Sequence, residues 1–346
     1  MNRNPVPTRM FRTLAAGIFC ASAAHAGVGP LQLIASDWDT NRVTAFDAAT
    51  GVTLRDVVTT RAHGANAMAG MTVGPDGLTY LTDFATDEVR RYSTKTGALI
   101  DTFIPGGLGG LDNSTDLQFG PDGHLLAANG DAGGLLKYHG VTGAFMGQFI
   151  APTACGSARF MAFLPENAVL VTDFGADVVA RFDALTGASL GMFAPQLANG
   201  NGVTRLANGD VLIASWSDEV IRRYSPIGQF LSIFASNIHC NAVVAGPDGF
   251  VYVAEKRRHR IEKYNATTGQ LVLTMGETFM RDPWCLAFYT DPCTADINAD
   301  GIVDLFDYLD FVQQFASGAT AADFNADGIV DFFDYLDFVE SFSAGC

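Results

Sequence analysis

The chain has 346 residues, of which 48% are hydrophobic and 17% are charged, with 21 Lys and Arg against 37 Asp and Glu. This apolar fraction excludes a disordered chain, and the length fits one large domain or two smaller ones. The net charge of −16 argues against a nucleic-acid partner, because phosphate binding needs a basic face. The charge is uneven: residues 1–26 carry +3, residues 27–292 carry −8 and residues 293–346 carry −11. We therefore predict three segments.

The first segment has the layout of a targeting signal. Arg9 and Arg12 precede a short apolar stretch that ends in Ala24-His25-Ala26. A basic start, a short apolar run and an Ala-x-Ala end predict a secretory signal peptide, and an ordinary N-terminal helix is the alternative. The apolar run is too short to span a membrane and no other stretch is long enough, so we predict no transmembrane segment. The mature protein is then expected outside the cytoplasm, where disulfides persist.

The second segment repeats six times. A turn glycine recurs in each unit, at Gly51, Gly97, Gly143, Gly187, Gly228 and Gly269. An aromatic residue precedes each of them, at Phe46, Tyr92, Tyr138, Phe182, Tyr224 and Tyr264. Short β-rich runs lie between the turns, and no helical period is present. Four short strands in a unit of roughly 40–46 residues are typical of a β-propeller blade.

The strand count also predicts how the ring closes. Five units are complete, whereas the N-terminal unit over residues 31–58 lacks its innermost strand. A matching strand follows the last complete unit, at residues 283–288. Three N-terminal strands and one C-terminal strand would complete a sixth blade and leave no open edge. We therefore predict an all-β, six-bladed propeller.

The first unit carries the clearest family resemblance, in Asp37, Asn41-Arg42-Val43 and Phe46. It resembles an NHL-type blade, and the whole repeat region is similar to six-bladed propellers of the NHL, gluconolactonase and streptogramin-lyase kind. The resemblance implies a central channel with a binding or catalytic site at one mouth. Propellers host both kinds of site, so the fold alone does not choose between them.

A polar residue ends the second strand of every unit: Asp37, Asp83, Asn129, Asp173, Ser215 and Glu255. These side chains either form a ring that binds a cation or a polyol, or each caps its own turn. Because the position is polar in every unit, we favour capping.

Residues that break the repeat are better site candidates. We predict a ligand face made by Arg159, Asn201, His239, Asn241, Glu255 and Trp284. The gluconolactonase resemblance implies one divalent metal in the channel, for which Asn201, Asn241 and Glu255 supply part of a ligand set. His239 is either a general base or a water-exposed channel residue. Neither a Gly-x-Ser-x-Gly nor a His-Glu-x-x-His motif is present, so no catalytic residue is assigned.

The third segment contains two copies of one motif, 27 residues apart. Its predicted ligands are Asp296, Asn298, Asp300, Ile302, Asp304 and Asp307 in the first copy, and Asp323, Asn325, Asp327, Ile329, Asp331 and Asp334 in the second. Oxygen donors at positions 1, 3, 5, 9 and 12, a glycine at position 6 and a backbone carbonyl at position 7 form a calcium loop. We therefore predict two bound Ca²⁺.

Each loop runs into an apolar stretch, and the doubled loop–helix unit resembles a dockerin. Cys293 and the terminal Cys346 resemble the frame of the GC-type dockerin of secreted planctomycete proteins. The resemblance implies attachment to a cohesin-like or cell-envelope protein. Loop positions 10 and 11 are Leu305-Phe306 in the first copy and Phe332-Phe333 in the second. These pairs indicate a receptor other than a cellulosomal cohesin, or they pack the two helices together, and both interpretations stay open.

Five cysteines remain after the predicted signal peptide. Cys293 and Cys346 bracket the calcium module, and we predict a disulfide between them that staples a small core. Connectivity cannot be read from sequence alone, and the pairing of Cys155, Cys240 and Cys285 stays open.

The sequence therefore predicts a signal peptide over residues 1–26, a six-bladed propeller over 27–291 and a dockerin-like anchor over 292–346. We expect a secreted bacterial protein whose propeller binds a glycan, a small molecule or a protein while the anchor holds a surface partner. The alternative is a metal-dependent lactonase or lyase that acts on extracellular sugars or polysaccharide fragments.

Overall fold

The computed structural model describes residues 30–59, 68–291, 294–298, 303–324 and 328–344. They belong to two compact units, which meet in sequence between Asp291 and Pro292. Each unit is described by itself. The predicted signal peptide lies outside the described residues.

The first unit consists of six four-stranded antiparallel sheets. The first blade contains β1 (Gln32–Asp37), β2 (Arg42–Asp47), β3 (Thr53–Val58) and β24 (Pro283–Tyr289). The second contains β4 (Met68–Val73), β5 (Leu78–Asp83), β6 (Glu88–Ser93) and β7 (Leu99–Ile104). The third contains β8 (Ser114–Phe119), β9 (Leu125–Asn129), β10 (Leu135–Tyr138) and β11 (Phe145–Ile150).

The other three blades repeat this order. The fourth contains β12 (Ala158–Leu164), β13 (Ala168–Asp173), β14 (Val178–Asp183) and β15 (Ser189–Ala194). The fifth contains β16 (Gly200–Arg205), β17 (Val211–Ser215), β18 (Val220–Tyr224) and β19 (Phe230–Ser236). The sixth contains β20 (Cys240–Ala245), β21 (Phe250–Glu255), β22 (Arg260–Asn265) and β23 (Leu271–Met275). The inner strands β24, β4, β8, β12, β16 and β20 contact one another in a closed ring, which confirms the six-bladed propeller.

The first blade is built from both ends of this unit. β24 pairs antiparallel with β1, so that Leu33 lies opposite Phe288 and Ile34 opposite Ala287. The Asp37 carboxylate adds to this pairing by accepting hydrogen bonds from the backbone N–H groups of Arg281, at 2.7 Å, and Asp282, at 3.1 Å. The predicted closure by the last strand is therefore confirmed.

The core lies between neighbouring blades. The second strand of a blade is covered on both faces and is buried along its whole length, as in β13, whereas most of the outermost strand β15 is exposed. The aromatic residue that recurs in the sequence is buried in all six blades, with at most 6% of its surface exposed. Burying an aromatic ring contributes roughly 1.5–3 kcal/mol, so this one repeated position stabilises every blade.

The repeated turn glycine is required by packing as well as by backbone conformation. Gly187 has a φ of 72°, in the left-handed region, and a Cβ at this position would collide with the carbonyl oxygen of Phe149 in the preceding blade. Gly97, Gly143 and Gly228 face the outer strand of the blade before them in the same way. The turn glycine is therefore a close contact between neighbouring blades.

The second unit contains two helices of equal length. α1 spans Leu305–Ser317 and α2 spans Phe332–Ala344, with a short 3-10 turn at Thr320–Ala322 between them. Phe311 and Phe338, which are 27 residues apart, stack with their ring centroids 3.9 Å apart and form the centre of this small core. No helix among the described residues is both long and apolar enough to cross a membrane.

The cysteines of the propeller are not bonded to one another. Cys155, Cys240 and Cys285 are free and buried, and burial raises the pKa of each thiol above its ordinary value. Thiols of this kind are poor nucleophiles, so they act as apolar core residues. The predicted bridge between Cys293 and Cys346 lies outside the described residues.

Two alanine substitutions separate blade packing from backbone strain. Gly123 has a φ of 75° and nothing within 4 Å of its would-be Cβ, so Gly123→Ala should cost about 1–2 kcal/mol of unfolding free energy from the left-handed conformation alone. Gly187→Ala carries the same conformational cost and a steric clash, so it should cost at least about 1–3 kcal/mol more. Denaturant unfolding of both variants measures the difference. Equal costs would show that the turn glycine is not a packing contact.

Candidate functional site

Two positions of the blade repeat meet at one end of the channel. The second residue of each inner strand forms one ring: Ala69, Thr115, Arg159, Asn201, Asn241 and Trp284. The residue directly after each second strand forms the other: Trp38, Phe84, Gly130, Phe174, Trp216 and Lys256. We call this end of the channel the mouth. Since the backbone repeats, the different side chains at these two positions are what distinguish one side of the mouth from another.

A pocket of about 160 Å³ opens within the mouth. It is lined by Arg159, Phe174, Asn201, Trp216, Asn241, Lys256 and Trp284. Pockets for drug-sized ligands have about 300–1,000 Å³, so this one fits a single small group or one unit of a larger ligand. Four of the six predicted ligand-face residues line this pocket. The sequence analysis missed Phe174, Trp216 and Lys256, although each directly follows one of the six polar strand-end residues.

The mouth contains all three tryptophans of the chain. The ring centroid of Trp38 lies 5.1 Å from that of Trp284 and 4.6 Å from that of Phe84. Trp216 stacks on His239, with centroids 4.7 Å apart and ring planes 21° apart. Aromatic side chains provide rigid, largely apolar contact area with little loss of conformational freedom, and they are enriched at binding sites.

Arg159 is a half-buried cation whose guanidinium lies over the ring of Phe174, 4.8 Å from its centroid. Its Nε is buried and has no hydrogen-bond partner among the described residues. Burial lowers the pKa of Arg159, and only the more distant charge of Asp131 opposes this. Arg55 and Arg181 also have a buried, unpaired Nε, but their terminal nitrogens donate to Gln32 and Glu166.

Asn241 is 1% exposed, and its amide is held in one orientation. The Nδ2 donates to Asp282 Oδ1 and to the carbonyl oxygen of Pro283, both at 2.8 Å. A flipped amide would face these two acceptors with its own oxygen. The Oδ1 is buried and has no partner among the described residues, which costs free energy unless a ligand donates to it.

Two neighbours of Asn241 complete this wall. Asn201 donates through its Nδ2 to the carbonyl oxygen of Cys240, at 3.1 Å, so one strand orients the next. Lys256 forms an ion pair with Asp282, with 2.6 Å between Nζ and Oδ2. Burial raises the pKa of Asp282 and the ion pair with Lys256 opposes this rise. The charge of Lys256 is therefore compensated within the protein, unlike that of Arg159.

Glu255 lies beneath the mouth and has no exposed surface. One carboxylate oxygen accepts from the backbone N–H of His239, at 3.0 Å, and the other accepts from the N–H of Arg258. Asp173 makes equivalent bonds with the N–H groups of Gly156, at 2.7 Å, and Ala176, at 3.0 Å. These contacts are those of turn caps, as the sequence analysis favoured for this repeated position.

The donor set of Asn201, Asn241 and Glu255 does not fit a divalent metal. Glu255 is the only anion of the three, so the set offers a divalent cation a single negative charge, whereas each predicted calcium loop has four carboxylates. Among the described residues, no three His, Cys, Asp or Glu side chains are grouped as metal ligands. We therefore derive no step through a channel metal.

His239 lies at the rim of the mouth. Its Nδ1 is 3.2 Å from an Arg257 nitrogen, and its Nε2 is 3.9 Å from Glu219. Arg257 and Glu219 also form an ion pair with each other. The ring is therefore surrounded by charged groups and stacked on Trp216, which suits a wall residue better than a free base.

A second cavity, of about 300 Å³, lies among the inner strands of the channel. The cavity is lined by Asp116, an acid that is 4% exposed and was not predicted from the sequence. Its Oδ2 accepts from the backbone N–H of Met161 at 3.0 Å and from Gln118 Nε2 at 3.3 Å. Burial raises the pKa of Asp116 to about 7, and the Met161 hydrogen bond opposes this. Asp116 departs from the repeat, since the third residue of the other inner strands is never an acid. Its place in the cavity, however, is shown only by the inward register of β8.

The calcium loops are described in part. Asp300, Ile302, Asn325 and Asp327 lie outside the described residues. In the first loop, Asp307 accepts hydrogen bonds from the backbone N–H groups of Asn298, at 3.2 Å, and Asp304, at 2.9 Å. In the second, Asp334 accepts from Phe324 and Asp331, both at 2.7 Å. The last acid of each motif thus accepts two hydrogen bonds from the backbone of its own loop. In the first motif, Asp307 also forms the capping box of α1 together with Asp304.

The chemistry of these loops fits a cation. Asp307 and Asp334 have no exposed surface, and residues 293–346 contain no Lys or Arg that could neutralise them. A buried carboxylate without a counter-charge is strongly unfavourable. Each accepted hydrogen bond uses only part of a carboxylate oxygen's acceptor capacity, so these oxygens can still bind a metal ion. The other predicted ligands among the described residues are Asp296, Asn298 and Asp304 in the first loop and Asp323, Ile329 and Asp331 in the second.

The residues at loop positions 10 and 11 do not pack the helices together. Leu305, Phe306, Phe332 and Phe333 are 63–65% exposed, whereas Phe311 and Phe338 form the core. Of the two interpretations left open by the sequence, helix packing is therefore wrong. Leu309 and Leu336, one turn further along each helix, extend this surface.

The propeller has several structural neighbours. A chain of the nidogen/laminin complex matches with a TM-score of 0.64 and 12% identity, over 76% of this chain and 100% of that chain. Virginiamycin B lyase from Staphylococcus aureus matches with a TM-score of 0.51 and 13% identity, over 72% and 84%. A streptogramin B lyase matches with 0.54 and 14%, over 73% and 84%. These identities show a shared fold alone. No protein-family model and no curated protein sequence matches the chain.

Asp116 should make the stability of the propeller depend on pH. The folded protein keeps this proton up to about pH 7, whereas the unfolded chain releases it near the ordinary value of 3.8, so stability falls as pH rises between these values. When the pH is raised from 5 to 8, the unfolding free energy of Asp116→Asn should fall by about 2–3 kcal/mol less than that of the wild type. Denaturant unfolding across this range measures it.

Asp183→Asn is the control for this experiment, because hydrogen bonds from Thr186 lower the pKa of Asp183 and its titration falls below this range. Wild-type and Asp116→Asn profiles that run parallel would contradict the assignment.

Proposed function

We propose that this protein is an extracellular binding protein with two binding surfaces. The propeller binds a glycan or another ligand at its mouth, and the dockerin-like unit holds two Ca²⁺ and attaches to a cohesin-like or cell-surface protein. One observation carries the ligand-binding part. The mouth combines all three tryptophans with a half-buried Arg159, whose Nε has no hydrogen-bond partner among the described residues, and with a buried Asn241 Oδ1 that accepts from none of them. Unsatisfied polar groups in an aromatic pocket are what a ligand would satisfy.

The attachment part rests on the repeated loops and on the surface beside them. Two copies of the motif present the same exposed apolar pair, 27 residues apart. Contiguous exposed apolar surface on a soluble protein marks an interaction site. Bound Ca²⁺ would fix the start of both helices and so the spacing of the two pairs.

The structural neighbours are compatible with both classes of function. One neighbour is a chain from a complex of nidogen with laminin, and the other two are lyases. The alternative for this chain, a metal-dependent lactonase or lyase, has less support because Asn201, Asn241 and Glu255 would bring only one negative charge to a divalent metal. Binding without turnover is therefore the function we propose.

Calcium binding is tested with two matched double variants of the full chain. Asp296→Ala with Asp323→Ala removes the first ligand of each loop, whereas Asp310→Ala with Asp337→Ala removes the same charge from the helices that follow. By titration calorimetry, the wild type and the helix variant should bind two Ca²⁺ at roughly 10⁻⁴–10⁻³ M, and the loop variant should bind none at these concentrations. Equal Ca²⁺ binding by both variants would rule out the loops as the sites.

Attachment is tested by capture of envelope proteins from the native host, with Ca²⁺ or with chelator. Phe306→Ser with Phe333→Ser should abolish a Ca²⁺-dependent capture and leave Ca²⁺ binding intact, because the substitutions change the surface and not the ligands. Val141→Ser with Ile227→Ser is the control, since these propeller residues are 76% and 83% exposed. Capture that persists in chelator, or in the Phe306→Ser, Phe333→Ser variant, would refute this attachment mode.

A further inference from the structure

We infer that the mouth binds an acidic sugar: a uronate residue, free or at the end of a polysaccharide fragment. Its carboxylate would pair with Arg159, a hydroxyl would donate to Asn241, and the C–H face of its ring would lie on the indoles of Trp216 and Trp284. This inference deepens the proposed ligand-binding function and rests on it.

The carboxylate is assigned from the state of Arg159. A charge removed from water needs a compensating partner, and Arg159 forms no ion pair with a described carboxylate: its guanidinium lies on the face of Phe174 and feels the charge of Asp131 only without direct contact. A guanidinium presents a planar fork of donors that a carboxylate matches with two parallel hydrogen bonds. The other cation in the pocket lining, Lys256, is already paired with Asp282. The pocket therefore has one cation that forms no ion pair, and a ligand with one negative charge would pair with it.

The hydroxyl is assigned from Asn241. Its buried Oδ1 accepts from nothing among the described residues, and its Nδ2 is fixed by two acceptors. The ligand must therefore supply a donor next to its anionic group. A uronate has several hydroxyls beside its carboxylate, whereas inorganic sulfate has no donor at neutral pH.

The ring is assigned from the aromatic walls and the size of the pocket. Trp216 and Trp284 line the pocket from different blades. Trp216 contacts His239 and the Lys256 Nζ, which lies 5.7 Å from the ring centroid, and Trp284 contacts Trp38, so both indoles are held in place. A pyranose ring has an apolar face of C–H groups that packs on an indole. The volume of about 160 Å³ suits one such ring and not an extended chain.

Galacturonate and galactose are a matched pair of probes, since they differ only in a carboxylate or a CH₂OH at C6. All three tryptophans lie at the mouth, so the intrinsic fluorescence of the full chain reports binding there. We expect galacturonate to give a saturable change and galactose to bind at least about tenfold more weakly, because a hydrogen bond to a charged group is lost.

The protein side is tested with Arg159→Gln, which keeps a planar polar group and removes the charge. Galacturonate affinity should fall at least about tenfold and galactose affinity should not change. Without ligand, this variant should unfold at the same or a higher denaturant concentration than the wild type, because it loses a charge that forms no ion pair. If Arg159 had only a structural role, the variant would unfold at a lower denaturant concentration than the wild type. Arg181→Gln is the control, and it should leave both affinities unchanged, since Arg181 pairs with Glu166 and does not line the pocket.

The outcomes distinguish a failure of the acidic-sugar assignment from a failure of the proposed ligand-binding function. Equal binding of galactose and galacturonate would overturn the acidic-sugar assignment and leave a neutral-sugar site. Competition by inorganic sulfate as strong as that by galacturonate would overturn it in favour of a simple anion site. If neutral sugars, uronates and native envelope extract all left the fluorescence unchanged, both the inference and the proposed ligand-binding function would fail.

Discussion

The pairing of β24 with β1 is the interaction on which the rest of the propeller depends. Every blade buries its faces against two neighbours, so an open ring would expose two apolar sheet faces and an unpaired strand edge. Closure joins residues that are about 250 positions apart in sequence, through ladder bonds and the Asp37 carboxylate. The closing segment also brings Asp282, which accepts a hydrogen bond from Asn241, and Trp284, which lines the pocket. Fold and candidate site therefore depend on the same strand.

The repeat provides the scaffold, and departures from it provide the chemistry. The buried aromatic residue, the turn glycine and the polar residue at the end of the second strand are structural in each blade, and they vary little. The two positions next to them in space at the mouth vary from Gly and Ala to Trp, Arg and Lys. Because each blade places these positions on the same ring, substitutions in several separate repeats converge on one pocket. This is a general route by which a symmetric fold acquires an asymmetric site.

The acidic side chains have different roles in the two units. In the propeller most carboxylates are hydrogen-bonded turn caps or members of ion pairs, as with Asp173 and Asp101. Residues 293–346 contain eleven acids and neither Lys nor Arg, and eight of these acids occupy motif positions. Asp304 and Asp307 form the capping box of α1 and are also motif positions, so the start of this helix would be coupled to cation binding at the proposed site. Charge that would destabilise a compact unit by repulsion becomes favourable once a cation is bound.

The sequence by itself determined the repeat, the blade number, the closing strand and the two loop–helix units. All of these depend on spacing along the chain, which a turn glycine or a strand of fixed length sets locally. Only the tertiary structure decided which polar residues are accessible. Glu255 and Lys256 are neighbours in sequence, yet the first is a buried cap and the second lines the pocket. The tertiary structure likewise decided that Asp116 is buried, that Trp216 lines the pocket and that Phe306 and Phe333 are exposed. Burial and charge compensation depend on residues brought together from distant blades or helices, and no local pattern contains that information.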